Sequence, residues 1–181
     1  MRAGRASAPG FTLIEVLVAA VVAAVLLGLA APQMARWLAA RAVTEQAEDF
    51  MSALRLARSE AVARGEVVTV CARDPAAPGP SCRPPGAADW RAGWIVFVDR
   101  GPRGLLDSGD AVLRTHEALP ASGGASGTRA SLSFLPGGIG LDAAAHVEFL
   151  PSGGAPDASR LVCISKQGKP RLGAIGPGRC G

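Results

Sequence analysis

The residues most able to do chemistry lie in a basic segment near the carboxyl end of the chain. From residue 158 to residue 181 there are five basic side chains and no acidic one, namely Arg160, Lys166, Lys169, Arg171 and Arg179. Such a cluster can neutralise phosphates, and the segment has no aromatic residue on which a base could stack. Lys166, Lys169, Arg171 and Arg179 are therefore predicted to bind double-stranded DNA independently of sequence. The alternative is a solvated basic hairpin that protects a sheet edge.

The sequence shows no catalytic constellation. His116 and His146 have no cysteine or serine at a telling spacing, which favours structural or exposed histidines. The acids Asp99, Asp107 and Asp110 lie among glycines and suggest a calcium loop. Two arginines within this loop, and the lack of an alternating order of oxygen ligands, favour turn formation instead. We therefore expect a protein that is not an enzyme and that holds no metal and no cofactor.

One carboxylate stands inside a long apolar stretch near the amino end. From Phe11 to Ala31 there are 21 residues, of which only Glu15 is ionisable. As a helix they would extend about 31 Å, which spans a bilayer. A carboxylate there costs a few kcal/mol unless it meets a cation. Cleavage after Gly10 would give Phe11 a charged amine, which can reach Glu15 of a neighbouring staggered helix. The stretch is then predicted to be an assembly device.

Two other interpretations of the apolar stretch stay open. An ordinary secretory signal would be cut after small residues, around Leu29-Ala30-Ala31, and a plain anchor would cross the membrane once. Neither accounts for Glu15, and a secretory signal would also be shorter. The amino-terminal sequence of the mature protein separates all three.

Length and charge set further bounds. The 181 residues allow one modest globular domain besides the helix. The net charge of +4 falls to +2 if a leader carrying Arg2 and Arg5 is removed, because 17 basic residues then face 15 acidic ones. Net charge alone therefore argues weakly for an anionic partner.

Four cysteines, Cys71, Cys82, Cys163 and Cys180, lie in the part of the chain that such a membrane segment would translocate. An even number in an exported domain indicates disulfides, for which three connectivities exist. Proximity along the chain favours Cys71–Cys82 and Cys163–Cys180. Zinc binding is the competing use, but the spacing contains no C-x-x-C pair and no histidine lies near a cysteine.

The pattern after the apolar stretch predicts an amphipathic helix followed by strands. Apolar residues recur at helical steps over residues 32–64, Pro32 should kink the helix, and Gly65 should end it. Six strands are then predicted, at Glu66–Cys71, Trp94–Val98, Ala111–Thr115, Leu132–Leu135, Val147–Leu150 and Leu161–Ser165. The segment Ala121–Thr128 is expected to be flexible and exposed. The predicted fold class is therefore α+β, with an antiparallel sheet head over residues 65–181.

The amino-terminal residues carry a family resemblance. Gly10-Phe11-Thr12-Leu13-Ile14-Glu15, after a short basic leader and before an apolar helix, resembles the signature of type IV pilins and pseudopilins. The resemblance implies a leader at residues 1–10 that a prepilin peptidase removes between Gly10 and Phe11. It also implies N-methylation of Phe11, storage in the inner membrane through residues 11–31, and packing of this helix into a filament core.

The head carries a second resemblance. Arg58-Ser59-Glu60-Ala61, Val68-Thr69-Val70-Cys71 and Gly93-Trp94-Ile95-Val96-Phe97 are similar in order and spacing to the FimT/GspH family of minor pilins and pseudopilins. Gly168-Lys169-Pro170-Arg171 also resembles the Gly-Arg-x-Arg element through which FimT-type pilins are thought to bind DNA in natural transformation. Lys169 stands where that element has arginine, so it supplies charge without the bidentate fork.

Together these features predict a type IV pilin-like minor pilin with its head in the periplasm, which assembles with other pilins and supports pilus biogenesis and twitching. A DNA receptor in the same filament is a further hypothesis. A minor pseudopilin of a type II secretion system is the alternative.

Overall fold

The structure is a computed structural model that describes residues 12–86, 88–117, 122–141, 144–153, 156–175 and 180. Its first element is the α-helix α1, Leu13–Arg64, which continues through Pro32. The helix ends where Gly65 takes a φ of +68° and donates its N–H to the carbonyl of Ala61 at 3.1 Å. Glycine adopts this left-handed conformation at little cost, which makes it a common residue just after a helix. A kink at Pro32 stays a prediction.

The second half of α1, residues 38–64, buries one stripe of side chains. Its members follow one another at steps of four and three residues, which places them on one face of a helix: Val43, Ala47, Phe50, Leu54, Ala57 and Ala61. All six have a relative exposure of 0%. Three of the six are alanines, which leave room for the larger side chains of the head. This face is the part of the helix that belongs to the core.

The described residues after α1 form eight strands and a short 3-10 helix at Pro156–Ala158. The strands are β1 Val68–Ala72, β2 Gly93–Val98, β3 Ala111–Glu117, β4 Ser122–Gly127, β5 Ser131–Phe134, β6 Ala145–Pro151, β7 Arg160–Ile164 and β8 Pro170–Ile175. They make two four-stranded sheets, with strand orders β3-β2-β1-β5 and β4-β6-β7-β8. Every pairing is antiparallel.

Both sheets pack against the buried face of α1. Phe50 lies in the middle of this core, with its ring centroid 5.1 Å from those of Trp90 and Trp94 and 5.6 Å from that of Phe149. Trp94 comes from β2 in the first sheet and Phe149 from β6 in the second. The helix therefore joins two sheets that share one hydrophobic core. The predicted α+β class, with a long amino-terminal helix packed on antiparallel sheet, is confirmed.

The expectation of a flexible segment at Ala121–Thr128 was wrong for Ser122–Gly127, which is a strand, whereas the expected exposure holds for Gly123, Ser126 and Thr128. Ala121 lies outside the described residues. Ser122–Gly127 is strand β4, paired with β6, and Ala125 is only 4% exposed. The glycines allow close packing here, because a Cβ at Gly123 would lie 2.0 Å from the carbonyl oxygen of Pro151. The high glycine content of this segment therefore led to a strand being predicted as a flexible linker.

Strand β8 was not predicted either. It begins at Pro170, which has no N–H to donate, and it lies at the edge of the second sheet. An edge position is where proline is tolerated in a sheet. The carboxyl end of the described chain is thus a basic β7–β8 hairpin, as the alternative to DNA binding supposed.

Two disulfides fasten loops to strands, and both are the pairs that proximity along the chain favoured. Cys71 of β1 is bonded to Cys82 in the loop between β1 and β2, across 11 residues. Cys163 of β7 is bonded to Cys180, across 17 residues. The second bond ties the end of the chain back to the middle of the second sheet.

Candidate functional site

The start of α1 gives Glu15 a partner that sequence analysis missed. The Glu15 carboxylate accepts hydrogen bonds from the backbone N–H of Thr12 at 2.8 Å and from its hydroxyl at 2.9 Å. In return, the Thr12 hydroxyl accepts the Glu15 N–H at 3.4 Å. This is a capping box, whose pattern of threonine followed three residues later by glutamate was present in the sequence. Gly10 and Phe11 lie outside the described residues.

The first half of α1, residues 13–37, exposes its apolar surface. Its large apolar side chains are between 51% and 83% exposed, the extremes being Val22 and Leu13. Length and composition make this helix a candidate for crossing a membrane, and its most apolar window is not buried against the described chain. Apolar area of this extent is unfavourable in water at about 25 cal/mol per Å². The helix therefore needs a lipid or protein environment.

The basic residues near the carboxyl end lie on a rigid hairpin. Lys166 lies in the turn between β7 and β8, and Lys169 follows it. Gly168 donates its N–H to the carbonyl of Ser165 at 2.8 Å, and Ser165 donates its N–H to the carbonyl of Lys169 at 3.1 Å. Gly168 takes a φ of +72°, and a Cβ there would lie 2.7 Å from the backbone nitrogen of Gly140. Only glycine fits this contact, which holds the turn against the loop after β5. Both lysines are exposed.

Arg171 lies on β8, beyond this turn. It is exposed and pairs with Cys163 across the β7–β8 ladder, whereas Pro170 pairs with Ile164 of the main core. Alternation along the strand therefore points Arg171 and Pro170 to opposite faces of the sheet. Arg179, the fourth basic residue proposed for DNA, lies outside the described residues.

A groove separates the basic turn from the second half of α1. It has a volume of about 600 Å³ and is lined by Arg55, Arg58, Ser59, Val62, Ala63, Lys169 and Pro170. The two arginines come from the helix and the lysine from the turn. Neither Arg55 nor Arg58 was predicted to join the basic site, because their approach to Lys169 is set by the fold.

The carboxylates of the loop between β2 and β3 accept hydrogen bonds from nearby backbone N–H groups and from one hydroxyl. Asp99 accepts from the Thr69 hydroxyl at 2.6 Å and from Gly104 N–H at 2.9 Å. Asp107 accepts from Gly109 N–H, and Asp110 accepts from the N–H groups of Arg100 and Asp107. Hydrogen bonds of this kind shape turns. Among the described residues no group of three or more His, Cys, Asp or Glu is arranged to hold a metal.

The histidines occupy structural positions. The His116 ring on β3 stacks on Trp94 with centroids 4.1 Å apart, and its Nε2 lies 3.2 Å from the Asp49 carboxylate on α1. His146 lies on β6, where its backbone N–H donates to the Thr128 hydroxyl. The contact of His116 with Asp49 ties the edge of the first sheet to the helix.

A long apolar helix that begins with a capped glutamate and ends as the spine of a two-sheet head defines a class, the type IV pilin-like filament subunits. The chain belongs to the GspH family, because the family described as "Type II transport protein GspH" matches residues 46–168. The prokaryotic N-terminal methylation motif matches residues 5–31. The protein is thus a minor pilin or pseudopilin, anchored in a membrane by its amino-terminal helix.

Solved structures show the same fold. The type IV minor pilin FimU of Pseudomonas aeruginosa strain PAO1, in one crystal form, matches with a TM-score of 0.56 and 24% identity, over 75% of this chain and 92% of FimU. A second crystal form of FimU gives a TM-score of 0.55 and 23% identity, over 74% of this chain and 96% of FimU. Comparison with curated proteins gave no match.

Proposed function

We propose that the chain is a minor pilin of a type IV pilus, matured by cleavage between Gly10 and Phe11 and by N-methylation of Phe11. The observation that carries this proposal is Glu15, a carboxylate at the start of a helix whose apolar side chains are exposed. In a filament, neighbouring helices would cover this surface, and the amine of Phe11 would neutralise Glu15 of the adjacent subunit. The fold shared with FimU supports a pilus subunit.

Sequencing the mature amino terminus tests the cleavage site. A chain that begins with N-methylated Phe11 supports the proposal. A mature chain that begins after Ala31 would instead identify a secretory signal, and a chain that keeps residues 1–10 would identify a plain anchor. Either of these results overturns the proposal.

The capping box makes it possible to separate two roles of Glu15. Glu15→Gln keeps an acceptor for Thr12 N–H, since glutamine also serves in a capping box, but it removes the charge. Glu15→Ala removes both, and Thr12→Ala weakens the cap while keeping the charge. If the charge pair drives assembly, the Gln and Ala variants should both be lost from sheared filaments while Thr12→Ala stays. Incorporation of Glu15→Gln at the wild-type level would refute the charge pair.

The second candidate is a minor pseudopilin of a type II secretion system, favoured by the description of the matching family. The two functions differ in the phenotype of a deletion. Loss of twitching with normal secretion supports the pilus. Accumulation of exoproteins in the periplasm with normal twitching supports secretion and would replace the first proposal.

We also propose that the head, placed in the periplasm, binds double-stranded DNA through Lys166, Lys169, Arg171 and Arg179. The support is the exposure of Lys166, Lys169 and Arg171 on one hairpin. Each phosphate contact should steepen the dependence of log affinity on log salt by about 0.9. Lys169→Ala with Arg171→Ala should therefore weaken DNA retention and flatten the slope by about 1.8. Unchanged retention would leave the hairpin as a solvated sheet edge.

A further inference from the structure

We infer that the DNA phosphate backbone lies in the groove between α1 and the β7–β8 turn, where Arg55 and Arg58 form a second basic wall opposite Lys169. The inference rests on the proposed DNA contact of Lys169 for the class of ligand. It adds the two helix arginines, which belong neither to the β7–β8 hairpin nor to the segment Gly168-Lys169-Pro170-Arg171.

The basic side chains at and next to the groove have no ionic partner among the residues that the structure describes. Arg55, Arg58, Lys166 and Lys169 make no side-chain hydrogen bond or ion pair with any residue that the structure describes, and Arg55, Lys166 and Lys169 are exposed. An unpaired cation at a surface costs little, but three that converge on one groove repel one another. An anion between them removes this repulsion.

The acids nearest to the groove along the chain have partners of their own. Glu60 is ion-paired with Arg64, one turn further along α1. Glu66 accepts two hydrogen bonds from Arg100, at 2.7 and 3.0 Å, which hold the pKa of its carboxyl below the ordinary range. Glu60 and Glu66 are thus engaged by Arg64 and Arg100, and neither carboxylate neutralises a basic side chain of the groove.

The backbone around the groove holds Arg58 in place. Gly138, in the loop after β5, has a φ of +71°, and a Cβ there would lie 3.3 Å from Arg58 Nε and 3.0 Å from a methyl of Val62. The loop therefore packs directly on the arginine stem. Gly140 in the same loop contacts Gly168 of the turn. Helix, loop and turn are packed together here, so the Arg58 side chain loses less entropy than an unsupported arginine when an anion binds.

The arrangement of the charges favours a polymer of phosphates over a single anion. The arginines and Lys169 line the groove, and Lys166 is an exposed residue three positions before Lys169 in the same turn region. A nucleic acid backbone presents negative charge at regular intervals and can contact all four. An acidic segment of another protein is the competing occupant, and the experiment includes it.

The test measures binding of a short DNA duplex to the full chain in a non-ionic detergent, over a series of salt concentrations. Arg55→Gln with Arg58→Gln should lower the affinity at least about tenfold near 0.1 M salt and flatten the salt slope by about 1.8. Arg55→Lys with Arg58→Lys keeps the charges and should restore most of the slope. Unchanged thermal unfolding verifies that the variants are folded.

The matched control is Arg103→Gln with Arg114→Gln, which removes the same charge from exposed positions in the β2–β3 loop and on β3. It should change the affinity by less than about twofold, because these residues lie outside the groove. An equal loss in the control would show that only net charge matters, and this would overturn the inference.

The remaining outcomes separate the inference from the proposal beneath it. If Lys169→Ala weakens binding but the Arg55 and Arg58 variants do not, the groove inference is wrong and DNA contact by the hairpin stands. If none of these variants matters, both are wrong. Binding of a poly-glutamate peptide that depends on Arg55 and Arg58, without binding of DNA, would identify a site for an acidic protein segment and overturn the inference.

Discussion

Residues 13–37 of α1 expose their apolar side chains, whereas residues 38–64 bury one stripe of theirs against two sheets. Both halves are helical and rich in alanine. They differ in where their polar residues fall: the first half has almost none, while the second half has polar residues at regular intervals around the buried face. A helix that is apolar all round needs a lipid or protein environment on every side, and an amphipathic helix needs it on one. The two halves therefore owe their stability to different partners.

The largest difference between the halves should appear when a large apolar side chain is truncated. Phe50→Ala should lower the free energy of unfolding of the head by about 3–5 kcal/mol, because it empties a site surrounded by two tryptophans and a phenylalanine. Leu26→Ala, at a side chain that is 60% exposed, should change it by less than about 0.5 kcal/mol. Urea unfolding of the full chain in detergent, followed by the near-ultraviolet signal of the tryptophans, measures both. Equal losses would contradict the division.

An added charge should have a larger effect in the first half than in the second, which is the opposite of the result expected for truncation. Leu26→Arg places a guanidinium within the apolar half, at a cost of about 2.5–3.5 kcal/mol for insertion into a bilayer. Ser52→Arg adds the same charge at an exposed position of the second half and should not affect insertion. The fraction of protein that stays in membranes after an alkaline wash reports the difference. Retention of Leu26→Arg at the wild-type level would show that this half does not lie in the bilayer.

A smaller effect should come from the polar contact that fastens the second half to β3. His116→Ala removes the stacking on Trp94 and the hydrogen bond to Asp49, and should cost about 1–2 kcal/mol of head stability. His116→Phe keeps the ring and should recover part of this loss. The same urea titration applies. If both variants equal the wild type, the contact does not stabilise the head.

Much of this architecture was predictable because it depends on periodicity. The spacing of Phe50, Leu54 and Ala61 predicts the buried helical stripe, and the runs around Val70 and Val96 predict strands. The pilin class followed from Gly10 to Glu15. What failed was the treatment of glycine and proline: strands β4 and β8 contain close backbone contacts and an edge proline, and both features look like loop signals in a sequence.

The candidate site was predictable only in part, for a different reason. The basic hairpin is contiguous in the sequence, so the cluster of Lys166, Lys169 and Arg171 was visible as a run of charge. Arg55 and Arg58 lie more than 100 residues away from it, and the packing of α1 on the head brings them to the same groove as Lys169. The cap between Thr12 and Glu15 was local and could have been found.

The smallest expected effect concerns ion pairs, which the described part of the apolar half does not form and the head does. The Arg91 side chain donates two hydrogen bonds to the Asp89 carboxylate. These hydrogen bonds hold the pKa of Asp89 below its ordinary range, although partial burial acts in the opposite direction. A lowered pKa in the folded state stabilises the head above the unfolded value of about 3.9, and this stabilisation is lost as the pH falls through the folded value. Between pH 6 and pH 2 the wild type should therefore lose up to about 1 kcal/mol more than Asp89→Asn, as measured by urea midpoints. Leu26→Ala should follow the wild type at every pH, because it changes no ionisable group. Parallel curves for the wild type and Asp89→Asn would mean that the exposed Arg91 gives the carboxylate no net advantage over water.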